Sequence, residues 1–416
     1  MFKSIIKRQF DQFKNNRVVF IKLKSKILFM HCFSIPFYIL YIPIIIFIIL
    51  ISPVWLIRIG KIPSNRIGHL AGNIELHILE KTLRKHLFNG FNSNIYFPGY
   101  YPICNKFLLN KWAKHLTILP KSLLNPLYNW LSLVSRKHVL DFPNRDRDIH
   151  NLLDKTEPTI EFDCDEILTG DHFINHVNPT NKKIVCVIIR DDAYLKDHLP
   201  LANMSYHDFR NYKLDNYLPA IKKLIQLKYF VIRMGSKAKN RIPFEDSNFL
   251  DYPFSGYRSE FLDIFIAYRC HFVISTSTGW DAVPGVMFRK PMLICPMMPI
   301  ANFWTFSSKF MLTTANLCKS SNRKLTLTEI FELNLENVFD IEEYDVIIEN
   351  SSQEILDAVI DMVNYIEVGN LNLNSNKIFW TVFEKHIRDK NLRNLHGEMR
   401  AIMSPSFLES NKHLLK

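Results

Sequence analysis

A cluster of four hydroxyl residues ends an apolar, β-rich run at residues 271–274. The cluster comprises Ser275, Thr276, Ser277 and Thr278, and Gly279 then opens a predicted helix. In such a turn hydroxyl and backbone N–H groups converge, and the positive end of the helix dipole adds to them. The pattern therefore predicts an anion site, and in an α/β sheet the anion is usually a phosphate at the carboxyl ends of the strands. The same residues also fit an ordinary polar cap with no ligand.

Short apolar runs alternate with helical patterns through the second half of the chain. The runs at 183–190, 229–235 and 291–295 are typical of parallel strands buried on both faces, and the run before the hydroxyl cluster is a fourth. Helical spacing lies between them at 217–227 and 259–269. Strands that alternate with helices of about ten residues indicate βαβ units. We therefore predict an α/β fold built on a parallel sheet.

Three of these strands end in polar residues. Because parallel strands place their carboxyl ends on one edge of the sheet, the three ends are predicted to face one crevice. Arginine suits a diphosphate there, since its guanidinium donates two parallel charged hydrogen bonds, although each arginine alone also fits a surface ion pair. The predicted donor-binding residues are Arg190, Asp191, Arg233, Gly235, Ser275, Thr276, Ser277, Thr278 and Gly279.

The order of these segments resembles a bacterial glycosyltransferase family associated with surface-polysaccharide gene clusters. The likeness covers most of residues 65–366. More distantly, the strand that ends in Arg190 is similar to the His-x-Arg strand end of GDP-fucose-using transferases, although Ile188 stands where those enzymes carry histidine. The segments that carry the family likeness are RIGHLAGNIELHI (66–78), FDCDEILTGDHFINHV (162–177), VCVIIRDDAYL (185–195), HDFRNYKLDNYLPAI (207–221), VIRMG (231–235), SEFLDIFIAYRCHFVISTSTGWDAVP (259–284) and LTLTEI (325–330).

The resemblance implies a GT-B-like α/β architecture, in which two Rossmann-like domains face each other across a cleft. The acceptor side corresponds to residues 58–180, where strand-like pieces occur at 94–97, 116–119 and 138–142. The nucleotide-sugar-binding domain corresponds to 181–369. A C-terminal helical tail follows at 370–416.

The resemblance also implies where the acceptor binds. In GT-B enzymes the first loop of the N-terminal domain meets the acceptor and often supplies the catalytic base. By that likeness His69 is the candidate base and Glu75 the second candidate, although a histidine that caps the following helix is the alternative. Asp281 also fits a first-turn acid, and Arg210 and Asn211 also fit a helix cap. The predicted acceptor-binding residues are Asn65, Arg66, Gly68, Arg210, Asn211 and Asp281.

Metal binding is not expected from the sequence. The stretch 146–148 (Asp-Arg-Asp) matches the Asp-x-Asp metal motif, but its flanks are typical of a loop rather than of the strand that the motif needs. No histidine or cysteine cluster has zinc spacing. The seven cysteines are scattered, which argues against a disulfide framework and suits a reducing compartment. We therefore expect no cofactor other than the nucleotide-sugar co-substrate.

The amino terminus combines a basic and an apolar segment. Residues 1–26 carry eight Lys or Arg and one acid, and residues 27–57 contain no charged side chain. This predicts an N-terminal membrane anchor. Because three prolines interrupt the apolar segment, we expect a re-entrant or interfacial hairpin that keeps the catalytic domains on the cytoplasmic face of the bacterial inner membrane. A single crossing with a luminal domain is the alternative. No basic stripe with aromatics follows residue 26, so nucleic acid is not an expected partner.

Taken together, these patterns predict a metal-independent glycosyltransferase. It would move a sugar from a nucleotide-sugar donor to a glycan or lipid-linked acceptor in cell-surface polysaccharide synthesis. The alternative is a non-catalytic, membrane-anchored protein that binds a nucleotide sugar or acts as a scaffold in polysaccharide assembly. Both alternatives predict nucleotide binding, and only the enzyme predicts turnover.

Overall fold

The protein is described by a computed structural model. The structure describes residues 40–83, 91–140, 142, 147–191, 193, 211–319, 323–336, 346–369, 371–392 and 395–416. Arg210, Asp146 and the basic segment 1–26 lie outside these residues, as does the first part of the predicted membrane segment. The α/β prediction is confirmed, because the described strands form mainly parallel sheets with helices between them.

The regular elements follow in chain order. The strands are β1 Trp55–Ile62, β2 Phe91–Pro98, β3 Thr117–Ile118, β4 Val139–Leu140, β5 Ile184–Ile188, β6 Phe230–Arg233, β7 Phe249–Asp251, β8 Phe272–Ser275, β9 Met292–Ile294, β10 Phe310–Leu312, β11 Asn316–Lys319, β12 Arg323–Lys324, β13 Val346–Ile348 and β14 Ile402–Met403. The α-helices are α1 Ile42–Ile51, α2 Ile74–Leu83, α3 Lys106–Ala113, α4 Lys121–Val134, α5 Cys164–Val177, α6 Leu218–Gln226, α7 Leu262–Arg269, α8 Leu327–Glu332, α9 Ser352–Glu367, α10 Asn374–Asp389 and α11 Pro405–Ser410.

Short helical turns complete the list. Those with 3-10 geometry lie at Arg136–His138, Leu153–Lys155, Leu214–Tyr217, Tyr252–Phe254, Gly279–Ala282, Ile300–Asn302 and Lys412–Leu415. Two π-helical turns lie at His69–Asn73 and Val283–Met287. The first π turn runs directly into α2, and the second continues the 3-10 turn that follows β8.

The chain divides into two compact units. The first comprises Met1–Ile62, His86–Gly99 and Leu116–Asp141, and the second comprises Pro63–Lys85, Tyr100–His115 and Phe142–Lys416. This division departs from the predicted boundary at residue 180.

Aromatic packing explains the departure. The ring of Phe162 contacts Phe265 at 5.2 Å and Phe288 at 6.1 Å between centroids. Phe107 stacks near Phe162 at 6.2 Å. Segments that the sequence assigns to the N-terminal domain therefore bury their apolar side chains within the second unit.

The first unit is built on a four-stranded parallel sheet in the order β3-β2-β1-β4. Helices α1 and α4 pack against this sheet through a shared apolar core. The members of that core are Ile45, Ile48, Ile59, Phe97, Leu124, Leu127, Leu131 and Val139. Strands β2, β3 and β4 lie at or beside the three strand-like pieces that the sequence shows in this region.

The second unit is built on a seven-stranded parallel sheet in the order β14-β10-β9-β8-β5-β6-β7. Every residue of β5, β6, β8 and β9 is buried, which is why these strands are continuously apolar rather than alternating in the sequence. A small antiparallel sheet of β11, β12 and β13 adds to this unit. The predicted parallel sheet is therefore confirmed, with β5, β6, β8 and β9 on the four apolar runs.

The described part of the predicted membrane segment forms two different elements. Residues 42–51 form α1, which buries Ile45 and Ile48 in the core of the first unit. Residues 55–57 begin β1, because they pair in register with the first residues of β2. None of the helices within the described ranges is long and apolar enough to cross a membrane.

Replacing Gly170 by alanine tests the assignment of helix α5 to the second unit. A Cβ at Gly170 would overlap the ring of Phe265, which is fully buried in α7. We expect Gly170→Ala to lower the free energy of unfolding by about 1–3 kcal/mol, because overpacking forces the ring or the helix to move. Leu168→Ala is the control on the same helix, since Leu168 is exposed and its loss is expected to change stability by less than about 0.5 kcal/mol. Urea unfolding measures both, and equal stability of the two variants would contradict the packing.

Candidate functional site

Three strand ends lie at the same edge of the seven-stranded sheet. Strand β5 lies between β6 and β8, and the pairing aligns Val187 with Arg233 and Ile188 with Ser275. Because all three strands are parallel, Arg190, Met234 and Thr276 continue from that edge. The juxtaposition that the sequence predicts is therefore present, and the direction of each side chain decides which residues remain open to a ligand.

A hydrogen bond joins the ends of β5 and β8. The backbone N–H of Arg190 donates to the hydroxyl of Thr276 at 2.8 Å, and the Thr276 N–H donates to the carbonyl of Ile188 at 3.2 Å. Thr276 is fully buried, whereas Arg190 is half-buried. Thr276 therefore serves as a tether that fixes where the Arg190 side chain leaves the sheet.

The hydroxyl cluster is organised around the carboxylate of Asp281. The hydroxyls of Ser275 and Thr278 donate to its Oδ1 at 2.6 and 2.7 Å, and the Thr278 N–H donates to its Oδ2 at 2.9 Å. Thr278 is the N-cap of the 3-10 turn and Asp281 completes its capping box. Asp281 is only 1% exposed. Asp281 is therefore a first-turn acid that caps the 3-10 turn, which was the alternative interpretation of the sequence. Its predicted contact with a sugar is corrected for that reason.

The remainder of this turn faces outward. Ser277 is half-buried and has a left-handed backbone, with φ of 60°. Gly279 is exposed at the start of the 3-10 turn. The carbonyl of Ser275 accepts from Cys295, which holds the base of the turn against β9. Of the five predicted residues of this turn, Ser277, Thr278 and Gly279 therefore retain surface, while Ser275 and Thr276 are internal.

Arg233 is not available to a ligand. Its side chain is 3% exposed and donates to the carbonyl of Asn240 at 2.6 Å and to the carboxylate of Asp251 at 3.4 Å. Asp251 lies beside Arg233 because β7 pairs with β6, and it also accepts from the Ile242 N–H at 2.9 Å. The predicted donor contact of Arg233 is therefore corrected: the guanidinium closes a buried structural ion pair.

Asp191 and Gly235 shape the same edge. The Asp191 carboxylate accepts from the backbone N–H groups of Ala193 at 2.9 Å and Lys239 at 2.8 Å, so it ties the end of β5 to the loop that follows β6. Gly235 turns the chain into that loop with φ of 151°. Both residues shape the backbone path of the loop, and the Asp191 carboxylate, an acceptor, is already engaged by these two N–H groups.

A second helix start meets the hydroxyl turn. A Cβ placed on Gly68 would lie 2.7 Å from the carbonyl oxygen of Gly279, so the two backbones touch at these glycines. The helical stretch begins at Ile67, so His69 lies in its first turn, and it continues through the π turn into α2. Its ring is half-buried, and no partner is found for its buried Nδ1. The sequence places these two elements in separate domains, whereas the structure joins them within the second unit.

Glu75 is sealed inside the protein. It is fully buried and forms an ion pair with Arg289 at 2.7 Å, and it accepts from the Thr159 N–H at 3.2 Å. Burial raises the pKa of Glu75 above its ordinary value, and the Arg289 guanidinium opposes that rise. A base must reach the proton that it removes, so Glu75 is corrected from a candidate base to a structural residue. The sequence gives no local sign of its distant partner Arg289.

The other predicted acceptor residues have different surroundings. Asn65 and Arg66 are exposed just before Gly68, and Ser64 anchors their loop by donating to the Tyr100 carbonyl at 2.5 Å. Asn211 is half-buried, and the next residue, Tyr212, donates its N–H to the Arg190 carbonyl at 3.2 Å. These contacts bring residue 211 close to the end of β5.

The Asp-x-Asp stretch is structural where it is described. Arg147 donates to the carbonyls of Phe303 and Asn302 at 2.7 and 2.5 Å, and Asp148 accepts from the Leu153 N–H at 2.7 Å. In the part of the chain that the structure describes, no group of three or more His, Cys, Asp or Glu side chains is placed to hold a metal ion.

One continuous set of contacts emerges from this geometry. It runs from Arg190 through the hydroxyl turn 276–279 to Gly68 and His69, and we call it the hydroxyl-turn site. The helical segment 279–287 and the segment from His69 through α2 both begin here. Backbone N–H groups at such starts carry partial positive charge, and Arg190 follows the end of the neighbouring strand β5. The arrangement suits an anion beside a half-exposed histidine.

Alanine at Gly68 tests the contact that builds the hydroxyl-turn site. The added Cβ would meet a backbone oxygen that cannot rotate away, so we expect Gly68→Ala to destabilise the protein by about 1–3 kcal/mol. Gly279→Ala is the matched control, because its Cβ would meet its nearest neighbour at 3.6 Å, an ordinary contact. Thermal unfolding of both variants measures the difference, and a Gly279→Ala protein as unstable as Gly68→Ala would contradict the asymmetry.

No family model, curated protein or solved structure matches the chain. The functional argument therefore depends on the contacts of the hydroxyl-turn site.

Proposed function

We propose that the chain is a glycosyltransferase of the GT-B type, moving a sugar from a nucleotide-sugar donor to a glycan or lipid-linked acceptor in cell-surface polysaccharide synthesis. The observation that carries this proposal is the contact between Gly68 and Gly279, which sets a half-buried histidine beside an anion-favouring turn. The family resemblance and the parallel sheet add support. The proposed place of action is the cytoplasmic face of a bacterial inner membrane.

The donor diphosphate is assigned to the positive part of the hydroxyl-turn site. Arg190 would donate a charged, two-pronged hydrogen bond, and the half-buried Ser277 and the backbone at Gly279 would add neutral donors. These groups stabilise the charge that builds on the diphosphate as the bond to the sugar breaks. Donors fixed in advance are worth several kcal/mol in such a step, about 2.7–4 kcal/mol for one donor in a water-excluded site. The proposed mechanism uses this charge in place of a metal ion.

His69 is the proposed base. Its ring would take the proton of the acceptor hydroxyl while that oxygen attacks the anomeric carbon and the nucleotide diphosphate departs. Histidine suits this step because its unperturbed pKa lies close to neutral pH. The buried Nδ1 without a protein partner and the half-buried ring leave His69 uncommitted to the surrounding fold.

A second candidate function follows from the side chains that already have partners within the protein. Ser275, Thr278 and Asp281 satisfy one another, and Arg233 is paired with Asp251. Fewer hydrogen-bonding and charged side chains are therefore left to stabilise a leaving diphosphate than the sequence pattern predicts. This favours, as the alternative, a non-catalytic protein that binds a nucleotide sugar or acts as a scaffold in polysaccharide assembly.

Replacing Arg190 by alanine tests the donor assignment. We expect Arg190→Ala to abolish sugar transfer and to weaken nucleotide binding by about 10-fold to 100-fold, because a charged hydrogen bond contributes about 1.5–3 kcal/mol. Isothermal titration with UDP, GDP, ADP and CMP measures binding, and thermal unfolding checks that the variant is folded. Arg323→Ala is the control, since Arg323 is exposed in β12 and pairs with Glu329 of α8. Unchanged transfer in Arg190→Ala would remove the donor assignment.

Replacing His69 tests the base and separates the enzyme from the binding protein. We expect His69→Ala to keep nucleotide binding and to lower kcat by about 10²-fold to 10⁴-fold, since that is the usual contribution of a positioned base. The limb of the pH–rate profile that belongs to the base should disappear. His150→Ala is the control, because His150 is exposed. Transfer that stays intact across pH would exclude His69, and nucleotide binding without turnover of any nucleotide sugar in the wild type would favour the non-catalytic function.

A further inference from the structure

Exposed apolar side chains are concentrated in the first unit. Eight of its aliphatic or aromatic residues expose more than half of their surface to solvent: Leu40 (69%), Ile46 (52%), Phe47 (58%), Leu50 (72%), Val54 (68%), Phe91 (76%), Leu133 (80%) and Val134 (54%). Trp55 is 43% exposed beside them. Large apolar side chains exposed together, rather than singly, mark a surface that meets a partner or a membrane.

Backbone and side-chain contacts bring five of these residues and Trp55 to one edge. The Phe91 N–H donates to the Val54 carbonyl at 3.1 Å, and Trp55 pairs with Phe91 at the amino ends of β1 and β2. The end of α4 reaches the same edge, because Lys137 donates to the hydroxyl of Ser52 at 2.7 Å. We call Leu50, Val54, Trp55, Phe91, Leu133 and Val134 the apolar edge.

The charge of the first unit is strongly one-sided. The unit contains thirteen Lys or Arg and two Asp, so it holds +11 of the chain's net charge of +12. Among its described residues there is no Asp or Glu. Arg136 and Lys137, both exposed, follow the two exposed residues at the end of α4 after the single residue Ser135. An apolar surface bordered by cations and lacking acids is complementary to the boundary of an anionic bilayer.

We propose that the apolar edge inserts into the interface of an anionic lipid bilayer. Leu133, Val134 and Phe91 would enter the region between headgroups and acyl chains, while Arg136 and Lys137 meet lipid phosphates. Trp55 suits this depth, since indole favours the membrane interface, and its Nε1 already donates to Ser93 at 2.9 Å. The surface extends beyond the apolar run 27–57, because Phe91, Leu133 and Val134 lie outside that run.

Other occupants fit the edge less well. A second copy of the chain would bring two units of charge +11 together, and like charges oppose that approach. Residues 1–26 carry a net charge of +7, so a basic edge repels this segment too. The lipid surface is the occupant that satisfies both the apolar and the charged part. This inference does not depend on sugar transfer.

A tryptophan placed at the apolar edge tests the insertion directly. Leu133→Trp adds a fluorophore at the end of α4, and Leu168→Trp is the matched control on an exposed helical position of the second unit. The full chain is mixed with phosphatidylcholine–phosphatidylglycerol vesicles, with or without bromine on the acyl chains. We expect bromine to quench most of the emission that Leu133→Trp adds and little of that added by Leu168→Trp. Vesicle binding with no quenching at residue 133 would overturn the proposal.

Flotation of the same vesicles gives a second measurement. The bound fraction should fall when phosphatidylglycerol is omitted or when salt rises, because screening weakens attraction to anionic headgroups. The double substitution Phe91→Ser and Leu133→Ser should lower the bound fraction further, with the thermal unfolding temperature unchanged because both side chains are largely exposed. Light scattering without lipid is expected to show a monomer. A dimer that the double variant dissociates would assign the edge to a second copy and overturn the proposal.

Discussion

The hydrogen bond between the Arg190 N–H and the Thr276 hydroxyl holds the site together. It joins the ends of β5 and β8, the two central strands whose parallel pairing runs from Val185 to Ile188. Thr276 is fully buried, so its hydroxyl cannot exchange this bond for one to water without loss of stability. The start of the following helix and the position of Arg190 both depend on it. A functional site at a sheet edge needs such a tether, because the loops that follow strands are otherwise free to move apart.

The contact between Gly68 and Gly279 completes the site, and only part of it was predictable from the sequence. The sequence indicates that Gly68 permits close backbone approach, but it gives no indication of what approaches. The partner turned out to be the hydroxyl turn, because residues 63–85 pack with the second unit rather than with the strand that precedes them. Local patterns report the conformation of a residue and leave the long-range pairing undetermined.

The same distinction explains which predictions were correct. Buried parallel strands require continuous apolar residues, so β5, β6, β8 and β9 were visible in the sequence. Arg233 was misassigned because its partner Asp251 lies in β7, a strand of three half-buried residues with no apolar run to reveal it. Glu75 was misassigned for a similar reason, since Arg289 follows a π turn far along the chain. Removing one partner of such a buried pair costs about 3–5 kcal/mol, so both arginines are needed for folding whatever the function is.

The two units differ in charge far more than in architecture. Both are built on parallel sheets, yet the first holds +11 and the second only +1. Within the first unit, residues 1–26 carry +7 of this charge, and the described residues add five Lys or Arg and no acid. In the second unit Lys and Arg are almost balanced by Asp and Glu, so local groups rather than the net charge decide where an anion is attracted. The division of charge therefore supports placing the proposed anion recognition at the hydroxyl-turn site and the proposed lipid contact at the apolar edge.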